Sequence, residues 1–552
     1  MSRKAKQKKR QTKYLFVVGG VMSGVGKGIT SSSIAKLLQA RGLSVTAIKI
    51  DPYINVDAGT MNPTEHGECF VLADGLETDQ DMGNYERFLN VDLPANNYMT
   101  TGSVYQAVIE KERNLGYGGR NVQVVPDIPE ETIRRIKKAG ELAEADVVIT
   151  EVGGTVGEYE NILFIEAIRM MKSEDPDSVG VVMVSYLPVP GSIGEMKTKP
   201  TQHAVRTLGN SGVQANIIVA RSPLPIDEKR KEKIARFCNV HPEDVISAPD
   251  LESIYDIPMN FEKEGLSTRL CGMLKLPCKS KIDLSDWNRF VRKSKNGKDT
   301  VKIAVVGKYF NSGDFVLSDV YISVLEAIKY SAYKLGLKPE ITYLSSQSFT
   351  DKKALKVLKE FDGVLVPGGF GKTGIEGKLN VIEYVRKNKI PYFGICYGMQ
   401  LAVLEYAKNV LKLADTSTEE INPKARNLVV AVMEEQKDKI AVGDMGGTMR
   451  LGQYETILKD KTIVKEAYKK KEILERHRHR YEVNPEYVEV LEKKGMIFSG
   501  TSPDGSLMET MELPREKHPF FVGVQYHPEL QARPLDPHPL FTAFIKASYE
   551  SE

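Results

Sequence analysis

The sequence predicts an α/β protein made of two successive parts. Near the N-terminus, the apolar segment 14–18 runs into a glycine-rich loop, and residues 29–40 then follow a helical pattern. Much later, the apolar residues 390–393 run into a Gly-x-Cys-x-Gly turn that precedes the helical pattern 401–407. Strands that alternate with helices favour parallel sheets. We therefore expect an N-terminal P-loop-like parallel sheet followed by a C-terminal α/β domain.

The composition sets limits on the class of protein. The chain of 552 residues is long enough for roughly two to four domains, and its 41% hydrophobic content supports large cores. With 76 basic and 73 acidic residues the net charge is +3, which gives no general case for specific nucleic-acid binding. The five cysteines are scattered without CxxC spacing, which argues against a disulfide framework. No apolar run has membrane-spanning length and no signal segment is evident, so we expect a cytoplasmic protein without a membrane partner.

Charge and polarity indicate the domain boundaries. Residues 1–13 carry seven basic and no acidic side chains, which predicts a disordered basic tail; a polyanion-binding arm is the alternative. Residues 278–300 are polar and rich in lysine, which is typical of an interdomain linker. The predicted domains are therefore 14–277 and 301–552.

The glycine-rich loop 19–28 contains Gly26-Lys27 just before a helix. Backbone N–H groups at a helix N-terminus and a nearby lysine form a cradle for phosphates. The loop departs from the strict Walker A pattern, because Val21 stands where the first glycine belongs and Gly28 replaces the usual Ser or Thr. A tight turn without a ligand is the alternative interpretation. Because the hydroxyl is missing, a magnesium ion needs ligands elsewhere.

Two carboxylates are candidates for such a metal site. Glu151 follows the apolar strand 147–150, at the strand end where open α/β sheets bind ligands. Asp81 belongs to the polar, carboxylate-rich loop 77–81. Hard oxygen ligands of this kind suit Mg²⁺ that bridges phosphates. For Asp81 the alternative is that it only solvates its loop.

A second polar loop follows the predicted strand 179–186. It contains two lysines, two threonines and a glutamine, a set that suits a polyphosphate and an adjoining polar ring. The residues of this loop are Lys197, Thr198, Lys199, Pro200, Thr201 and Gln202. An exposed basic loop without a ligand is the alternative interpretation.

Cys396 lies in the Gly-x-Cys-x-Gly turn, which has the pattern of a nucleophile elbow. The start of a helix favours the thiolate, which is the form of cysteine that attacks. His527 ends an apolar strand and Glu529 follows two residues later, an arrangement that suits a base and the group that orients it. The glycine turn 367–371 offers backbone N–H groups for an oxyanion. A buried structural cysteine is the alternative.

These residues together resemble the class I glutamine amidotransferases, in which such a domain releases ammonia from glutamine for a second domain. The first half of the chain resembles the synthetase domain of the CTP synthase family. The resemblance rests on residues 19–28, 49–57, 61–63, 66–68, 85–88, 151–157 and 197–202. It covers 14–277 and then 301 almost to the end, and it implies an N-terminal synthetase domain followed by a class I glutaminase domain.

The family resemblance implies a reaction in which ATP, UTP and glutamine give CTP, ADP, phosphate and glutamate, with ammonia as an alternative nitrogen donor. In the glutaminase domain it implies Cys396 as nucleophile, His527 as proton carrier and Glu529 as its partner. The implied glutamine contacts, with Gly369 and Tyr397 as oxyanion donors, are Gly369, Tyr397, Gly398, Met399, Gln400, Glu419 and Arg480. For Arg480, which would pair with the substrate carboxylate, a solvated basic run 476–480 is the alternative.

In the synthetase domain the resemblance implies two nucleotide sites and Mg²⁺ held by Asp81 and Glu151. The implied ATP contacts are Gly24, Val25, Gly26, Lys27, Gly28, Ile29, Lys49, Asp81, Pro249, Asp250 and Leu251. The implied contacts for UTP, partly shared by the inhibitor CTP, are Ser23, Glu158, Tyr159, Glu160, Lys197, Thr198, Lys199, Pro200, Thr201, Gln202 and Lys233. The resemblance further implies GTP as activator and a homotetramer.

One position departs from the family pattern. The family loop reads Pro-Gly-Gly-Phe-Gly-x-Arg-Gly, and Thr373 stands where the arginine is expected. Threonine cannot offer a guanidinium fork, so weaker activation by GTP is expected. Two rival functions remain: a regulatory ATPase switch with an accessory glutaminase, and a filament or scaffold protein with inactive sites. The loop 197–202 argues against the first, and intact Cys396, His527 and Glu529 argue against the second.

Overall fold

The computed structural model describes residues 11–191, 194–308, 311–312, 315–316, 318–369, 371–432 and 449–551. The chain divides into two compact units, one formed by the residues up to Asp57 with Asn84–Ser285, the other by Ala58–Gly83 with Asp286–Glu552. The sequence did not predict that 58–83 belongs with the C-terminal unit. Most of the predicted basic tail lies outside the described residues, and the first strand already begins at Lys13.

In the described residues, the strands form two large sheets and three small ones. Their bounds are β1 Lys13–Gly20, β2 Val45–Asp51, β3 Phe70–Val71, β4 Glu77–Thr78, β5 Tyr98–Thr100, β6 Val147–Val152, β7 Val179–Tyr186, β8 Ile217–Ser222, β9 Val245–Pro249, β10 Asp299–Gly307, β11 Asn311–Ser312, β12 Phe315–Val316, β13 Leu337–Ser345, β14 Gly363–Val366, β15 Tyr392–Ile395, β16 Thr416–Thr418, β17 Asn427–Val432, β18 Arg450–Leu458, β19 Glu472–His479, β20 Tyr481–Val483, β21 Ile497–Thr501, β22 Met508–Glu512 and β23 Phe521–Val524.

The helices connect these strands. Their bounds are α1 Lys27–Ala40, α2 Pro63–His66, α3 Gln80–Leu89, α4 Thr101–Arg113, α5 Val124–Leu142, α6 Ile162–Glu174, α7 Lys199–Asn210, α8 Glu228–Cys238, α9 Ile257–Lys263, α10 Leu266–Met273, α11 Ser285–Lys295, α12 Ile322–Leu335, α13 Ile375–Asn388, α14 Tyr397–Asn409, α15 Ile463–Tyr468, α16 Val488–Lys493 and α17 Pro539–Glu550. In the described part of the chain, none of these helices has the length and apolar character needed to cross a membrane.

The first unit is built on a seven-stranded sheet with the order β5-β2-β6-β1-β7-β8-β9, and all its neighbouring strands are parallel. Such a sheet is covered on both faces, so its strands are continuous apolar runs. In β1, for example, Phe16, Val17 and Val18 are almost completely buried. The predicted parallel α/β fold of this part is confirmed.

The second unit is built on a nine-stranded sheet with the order β13-β10-β14-β15-β23-β22-β21-β18-β19. The strands from β13 to β23 pair in parallel, and those from β23 to β19 pair antiparallel. The predicted α/β class is confirmed here too. The parallel part places β15 between β14 and β23, which positions the site described below.

The segment 278–300, predicted as a linker, contains the eleven-residue helix α11. Its polar composition belongs to one face only, because Trp287, Phe290 and Val291 are buried. Phe290 packs edge-on against Tyr330, with ring centroids 5.9 Å apart. Two of the lysines that suggested a flexible connection, Lys293 and Lys295, therefore lie on the exposed side of a packed amphipathic helix.

One pair of cysteines is bonded, although their spacing gave no reason to expect it. Cys271 at the end of α10 forms a disulfide with Cys278, seven residues further on. Cys69, Cys238 and Cys396 are free thiols. The expected absence of a disulfide framework therefore needs this one correction, and the candidate nucleophile is available as a thiol.

Candidate active site

Cys396 lies in a strained turn between strand β15 and helix α14. Its backbone has φ 50° and ψ −100°, a conformation with positive φ that side chains other than glycine rarely adopt. The turn is held by its own N–H, which donates to the Val524 carbonyl at 2.6 Å. Gly398 is required next to it, because a Cβ there would lie 2.2 Å from the Val366 carbonyl oxygen. The predicted nucleophile elbow is thus present, with the helix N-terminus at the thiol.

His527 and Glu529 form a close pair beside this turn. His527 Nδ1 and Glu529 Oε1 are 2.7 Å apart, and both side chains are largely buried. A Cβ added to Gly368 would lie 2.8 Å from His527 Cε1 and 3.7 Å from Cys396 Cβ. The imidazole and the thiol therefore flank the same glycine, and the three predicted catalytic residues are brought together.

The charge state of His527 follows from these neighbours. Burial of the ring lowers the pKa of His527, but the nearby Glu529 carboxylate and the Cys396 sulfur raise it to about 10. The negative charges of the Glu529 carboxylate and of a Cys396 thiolate both favour the protonated form of His527. The site therefore suits an imidazolium–thiolate pair that is ready for nucleophilic attack.

The two predicted oxyanion donors come from adjacent elements. Tyr397 is the first residue of α14, and first-turn N–H groups have no partner within a helix. Gly369 follows Gly368 in the loop after β14. Because Gly368 lies against both Cys396 and His527, the loop and the elbow border the same space. This arrangement suits the negative oxygen of a tetrahedral intermediate.

The other residues proposed for glutamine lie in two positions relative to the thiol. Gln400 is buried and donates to the Tyr481 carbonyl at 2.8 Å and to Gln525 Oε1 at 3.2 Å. Gln525 Nε2 in turn lies 3.7 Å from Cys396 Sγ. Met399, in contrast, is completely buried in the core, where a Cβ on Gly523 would touch its side chain at 3.0 Å.

The acidic and basic residues of this group lie on the segments that follow β16 and β19. Glu419 Oε2 accepts from the Val432 N–H at 2.7 Å, which ties it to β17. Arg480 connects β19 and β20, and its charge is felt by Glu420 and Tyr481. The structure thus places Arg480 among groups of this unit and not in a wholly solvated run, since Arg476 and His477 of the same run are completely buried.

A cavity of about 70 Å³ opens onto the thiol and the histidine, and part of its wall was not predicted. It is lined by Pro63, Glu68, Cys69, Val320, Tyr321, Gly368, Gly369, Cys396, Arg478, His527, Glu529 and Leu530. Glu68 is fixed by the Ser323 N–H at 3.2 Å. Arg478 binds Glu77 at 2.7 Å, and its carbonyl lies 3.8 Å from Cys396 Sγ. The motif around 66–68 was noted in the sequence, but nothing in it indicated this position.

The phosphate loop of the first unit has the predicted strand–loop–helix geometry. Gly26 caps α1 with φ 86°, a left-handed conformation that glycine adopts without strain. Lys27, only 8% exposed, donates from Nζ to the Gly154 carbonyl at 2.8 Å. The lysine thereby connects the loop after β1 with the residues after β6, and Glu151 is the last but one residue of β6 itself. The cradle and one predicted metal ligand share the same edge of the sheet.

Glu151 is buried and already oriented by two partners. Lys49 Nζ lies 3.0 Å from Glu151 Oε1, and Tyr85 donates to the other carboxylate oxygen. Lys49 also lies 3.6 Å from Asp51. Buried charges are tolerated when they are paired and hydrogen-bonded in this way. The predicted Asp81 lies in the first turn of α3, where its N–H donates to Asp79 Oδ1 at 2.9 Å.

A cavity of about 180 Å³ lies next to the phosphate loop and contains the residues predicted for the adenine side. Gly26 and Thr30 line it together with Pro249, Asp250 and Leu251. Sequence reasoning missed Arg221, which also lines this cavity. Its guanidinium contacts Asp250 at 2.6 Å and lies 2.6 Å from where a Cβ on Gly26 would be. No motif indicated Arg221, because it is a single residue inside strand β8.

The residues predicted for UTP fall into a buried and an exposed group. Thr198, Thr201 and Gln202 are buried at the start of α7, where Thr201 bonds Ser185 at 2.8 Å. Ser23, Tyr159, Glu160, Lys199 and Lys233 are exposed, and Lys197 is half-buried. Glu158 accepts from the Thr155 N–H at 2.8 Å, which orders the loop after β6. The sequence 197–202 is thus a helix N-terminus with polar anchors.

Chemically, the described residues offer carboxylate oxygens for a metal but no preformed cage. No group of three or more His, Cys, Asp or Glu side chains in these residues is arranged to hold a metal ion. Mg²⁺ is often held by one or two carboxylates together with substrate phosphates. The donor set at Glu151 therefore fits that ion.

Comparison with known proteins agrees with both halves of this geometry. The family model "CTP synthase N-terminus" matches residues 13–276, and "Glutamine amidotransferase class-I" matches residues 316–547. A CTP synthase of Halalkalibacterium halodurans is 48% identical over 538 residues, which cover 97% of this chain and 99% of that protein. A CTP synthase of Methanococcus aeolicus is 46% identical over 548 residues, covering 98% and 99%.

Among solved structures, the chain is similar to the glutaminase domain of Trypanosoma brucei CTPS with bound acivicin. That domain is 36% identical, covers 45% of this chain and 94% of its own, and gives a TM-score of 0.42. The family assignment rests on the relatives that match nearly the whole length. The chain belongs to the CTP synthase family and is a glutamine-hydrolysing ligase that forms a carbon–nitrogen bond.

Proposed function

We propose that this enzyme aminates UTP to CTP with ATP, using ammonia that its own Cys396 releases from glutamine. The observation that carries the proposal is the strained Cys396 at the end of β15, which shares Gly368 as a neighbour with the His527–Glu529 pair. A structural cysteine has no need of positive φ or of a paired histidine. Free ammonia is proposed as an alternative nitrogen donor, because the phosphate loop belongs to the other unit.

In the glutaminase reaction, the Cys396 thiolate attacks the side-chain carbonyl carbon of glutamine. The N–H groups of Gly369 and Tyr397 stabilise the oxyanion, and the His527 imidazolium gives its proton to the departing ammonia. Glu529 holds the ring in the orientation that this transfer needs. Water then attacks the thioester with His527 as base, which releases glutamate and restores the thiol.

In the synthetase reaction, ATP phosphorylates the 4-oxygen of UTP, and ammonia then displaces phosphate. Lys27 and the loop N–H groups hold the ATP phosphates, while Pro249, Asp250 and Leu251 border the adenine side. Lys49 neutralises charge during phosphoryl transfer. The polar start of α7 binds the pyrimidine nucleotide through Thr198, Thr201 and Gln202, together with Lys197 and the exposed Lys199.

Glu151 in the first unit and Asp81 in the second are each proposed as a carboxylate ligand for Mg²⁺. An ion held there would screen the negative charge of the transferring phosphoryl group. Lys49 and Tyr85 contact the Glu151 carboxylate and fix its orientation before any ligand enters. A carboxylate whose orientation is already fixed loses little conformational freedom when the ion binds.

Regulation and assembly complete the proposal and rest on family membership. GTP activates glutamine hydrolysis, CTP inhibits by sharing the UTP site, and the enzyme is a homotetramer. Thr373 follows the glycine loop in the position where the family pattern has arginine, so activation by GTP should need a higher concentration than in relatives with that arginine.

The test separates the two nitrogen sources. In Cys396→Ala, glutamine-dependent CTP formation should fall about 10⁴-fold or more, while formation from UTP, ATP and an ammonium salt persists. The measurement is conversion of UTP to CTP with each donor. If Cys396→Ala hydrolysed glutamine at the wild-type rate, Cys396 would not be the nucleophile. If the unmodified enzyme formed no CTP with either nitrogen donor, the proposed synthetase reaction would be wrong.

A further inference from the structure

The completely buried Lys378 lies beside Tyr397, the residue that follows the nucleophile Cys396. Lys378 on helix α13 has no exposed surface, and among the described residues its Nζ has no hydrogen-bond partner. Burying a lysine without such a partner is costly, and lysines are almost never fully buried unless paired. The catalytic steps above do not use this ammonium, so its position requires another explanation.

The surroundings of Lys378 are charged and aromatic. Its Nζ lies 5.3 Å from the centre of the Tyr397 ring, and Lys308 Nζ lies 5.9 Å from the same ring. Cations at this distance from an aromatic face are attracted to it. Lys308, Glu420 and the Cys396 sulfur are the charged groups that act on Lys378. The two negative groups among them favour its ammonium form.

Tyr397 links the two elements that border the oxyanion site. Its N–H belongs to the elbow, whereas its hydroxyl donates to the Gly371 carbonyl at 3.2 Å in the glycine loop. Lys308 Nζ contacts the same carbonyl at 3.4 Å, and Glu420 accepts from the Gly371 N–H at 2.6 Å. The loop that carries Gly369 is therefore fastened to the elbow through one tyrosine side chain.

We propose that Lys378 is a positioning residue of the glutaminase, whose buried ammonium holds the Tyr397 ring and stabilises the negative charge of the Cys396 thiolate. The inference rests on the proposed role of Cys396. Electrostatic coupling is reciprocal: because the cysteine charge favours the ammonium, the ammonium favours the thiolate. It also favours the oxyanion that develops near the Tyr397 N–H.

The titration of Lys378 agrees with this geometry. Burial lowers the pKa of Lys378 to about 7, with a further lowering by Lys308, while Cys396 and Glu420 act in the opposite direction. The positive charge is therefore most fully present when both negative groups are ionised.

The test replaces Lys378 by methionine, which has similar length, no charge and a preference for buried sites. We expect kcat for glutamine hydrolysis to fall about ten- to a hundredfold with KM changed less than threefold. Alkylation of Cys396 by iodoacetamide, followed on its own peptide by mass spectrometry because Cys69 lines the same cavity, should shift its pH midpoint upward by about one unit. Ammonia-dependent CTP formation should be unchanged.

Lys387→Met is the matched control, since Lys387 lies on the same helix but is 61% exposed and paired with Glu383. It should behave as the unmodified enzyme. A purely structural Lys378 would change the melting temperature of its variant without moving the alkylation midpoint. If Lys378→Met does not fold, Lys378→Gln serves in its place.

An unmoved midpoint together with kcat within twofold of the unmodified enzyme would overturn the inference. The proposed function fails differently, because then the unmodified enzyme itself would lack glutamine hydrolysis that depends on Cys396. A Tyr397→Phe variant separates the two proposed effects of Lys378, holding the Tyr397 ring and stabilising the Cys396 thiolate. Losing the hydroxyl contact to Gly371 should lower kcat but leave the pH midpoint of Cys396 alkylation unchanged.

Discussion

Gly368→Ala tests whether the relative position of His527 and Cys396 determines the rate of glutamine hydrolysis. The new Cβ would lie 2.8 Å from His527 Cε1, and ordinary contacts begin near 3.4 Å. The ring must therefore move by about 0.6 Å, within the range in which catalytic alignment is sensitive. It has little freedom to do so, because Nδ1 is held by Glu529 at 2.7 Å and its backbone N–H by the Arg476 carbonyl at 2.7 Å.

The expected loss follows from that displacement. A misplacement of about 1 Å costs roughly 10²-fold in rate, so we expect kcat/KM for glutamine to fall about ten- to a hundredfold. CTP formation from ammonium salt should stay within twofold, since Gly368 belongs to the glutaminase unit. Both rates are measured as UTP conversion, and the melting temperature shows whether the variant is folded.

The matched control is Gly272→Ala. Gly272 lies in helix α10, and a Cβ there would meet nothing within 4 Å. Alanine in a helix should leave both activities unchanged and slightly raise stability. If Gly368→Ala hydrolyses glutamine within twofold of the unmodified enzyme, the thiol and imidazole are not held in the arrangement described here.

Four further predictions concern other parts of the chain. Lys27→Ala should block CTP formation from either nitrogen donor, and ammonia-driven activity within a few-fold of normal would contradict its phosphate role. Thr373→Arg should lower the GTP concentration for half-maximal activation about ten- to a hundredfold; an unchanged titration would show that this position does not serve the activator. Deleting residues 2–11 should leave activity unchanged, because the first strand begins at Lys13; a smaller oligomer mass would argue otherwise. In Glu529→Gln, the melting temperature should fall most below pH 6.5. Glu529 helps to raise the pKa of His527 to about 10, so its stabilisation of the fold is complete below the usual histidine pKa of 6.5 and is lost as pH rises through 10. An equal fall in melting temperature at pH 6 and at pH 10.5 would contradict this.

The sites that could be predicted are those whose geometry is local. The Cys396 turn needs only neighbouring residues: an apolar strand, two glycines and a helical segment specify it. The Lys27 loop is specified in the same way, and its departure from the Walker A pattern did not change the fold. His527 and Glu529 could be found because they follow a short apolar strand closely and stand two residues apart.

The residues that could not be predicted depend on packing between distant parts of the chain. Lys378 lies on a helix whose sequence has an ordinary amphipathic pattern. Only the folded structure shows that the Lys378 side chain is buried. Arg221 likewise gains its position from strand order, which places β8 beside β9 and next to Asp250. Strand order is set by the whole sheet, and no short pattern encodes it.

The grouping of 58–83 with the C-terminal unit has a consequence for how the glutaminase is built. Arg476 donates to the Val71 carbonyl at 3.0 Å, and Arg478 binds Glu77 at 2.7 Å, so strand β19 holds this segment through two arginines, of which Arg476 is completely buried. The same strand reaches the nucleophile, because the Arg478 carbonyl lies 3.8 Å from Cys396 Sγ. A residue that joins a remote segment to the thiol cannot shift on one side without disturbing the other. The wall of the cavity formed by Glu68 and Cys69 is therefore part of the machinery that positions Cys396, even though the chain supplies it more than three hundred residues earlier.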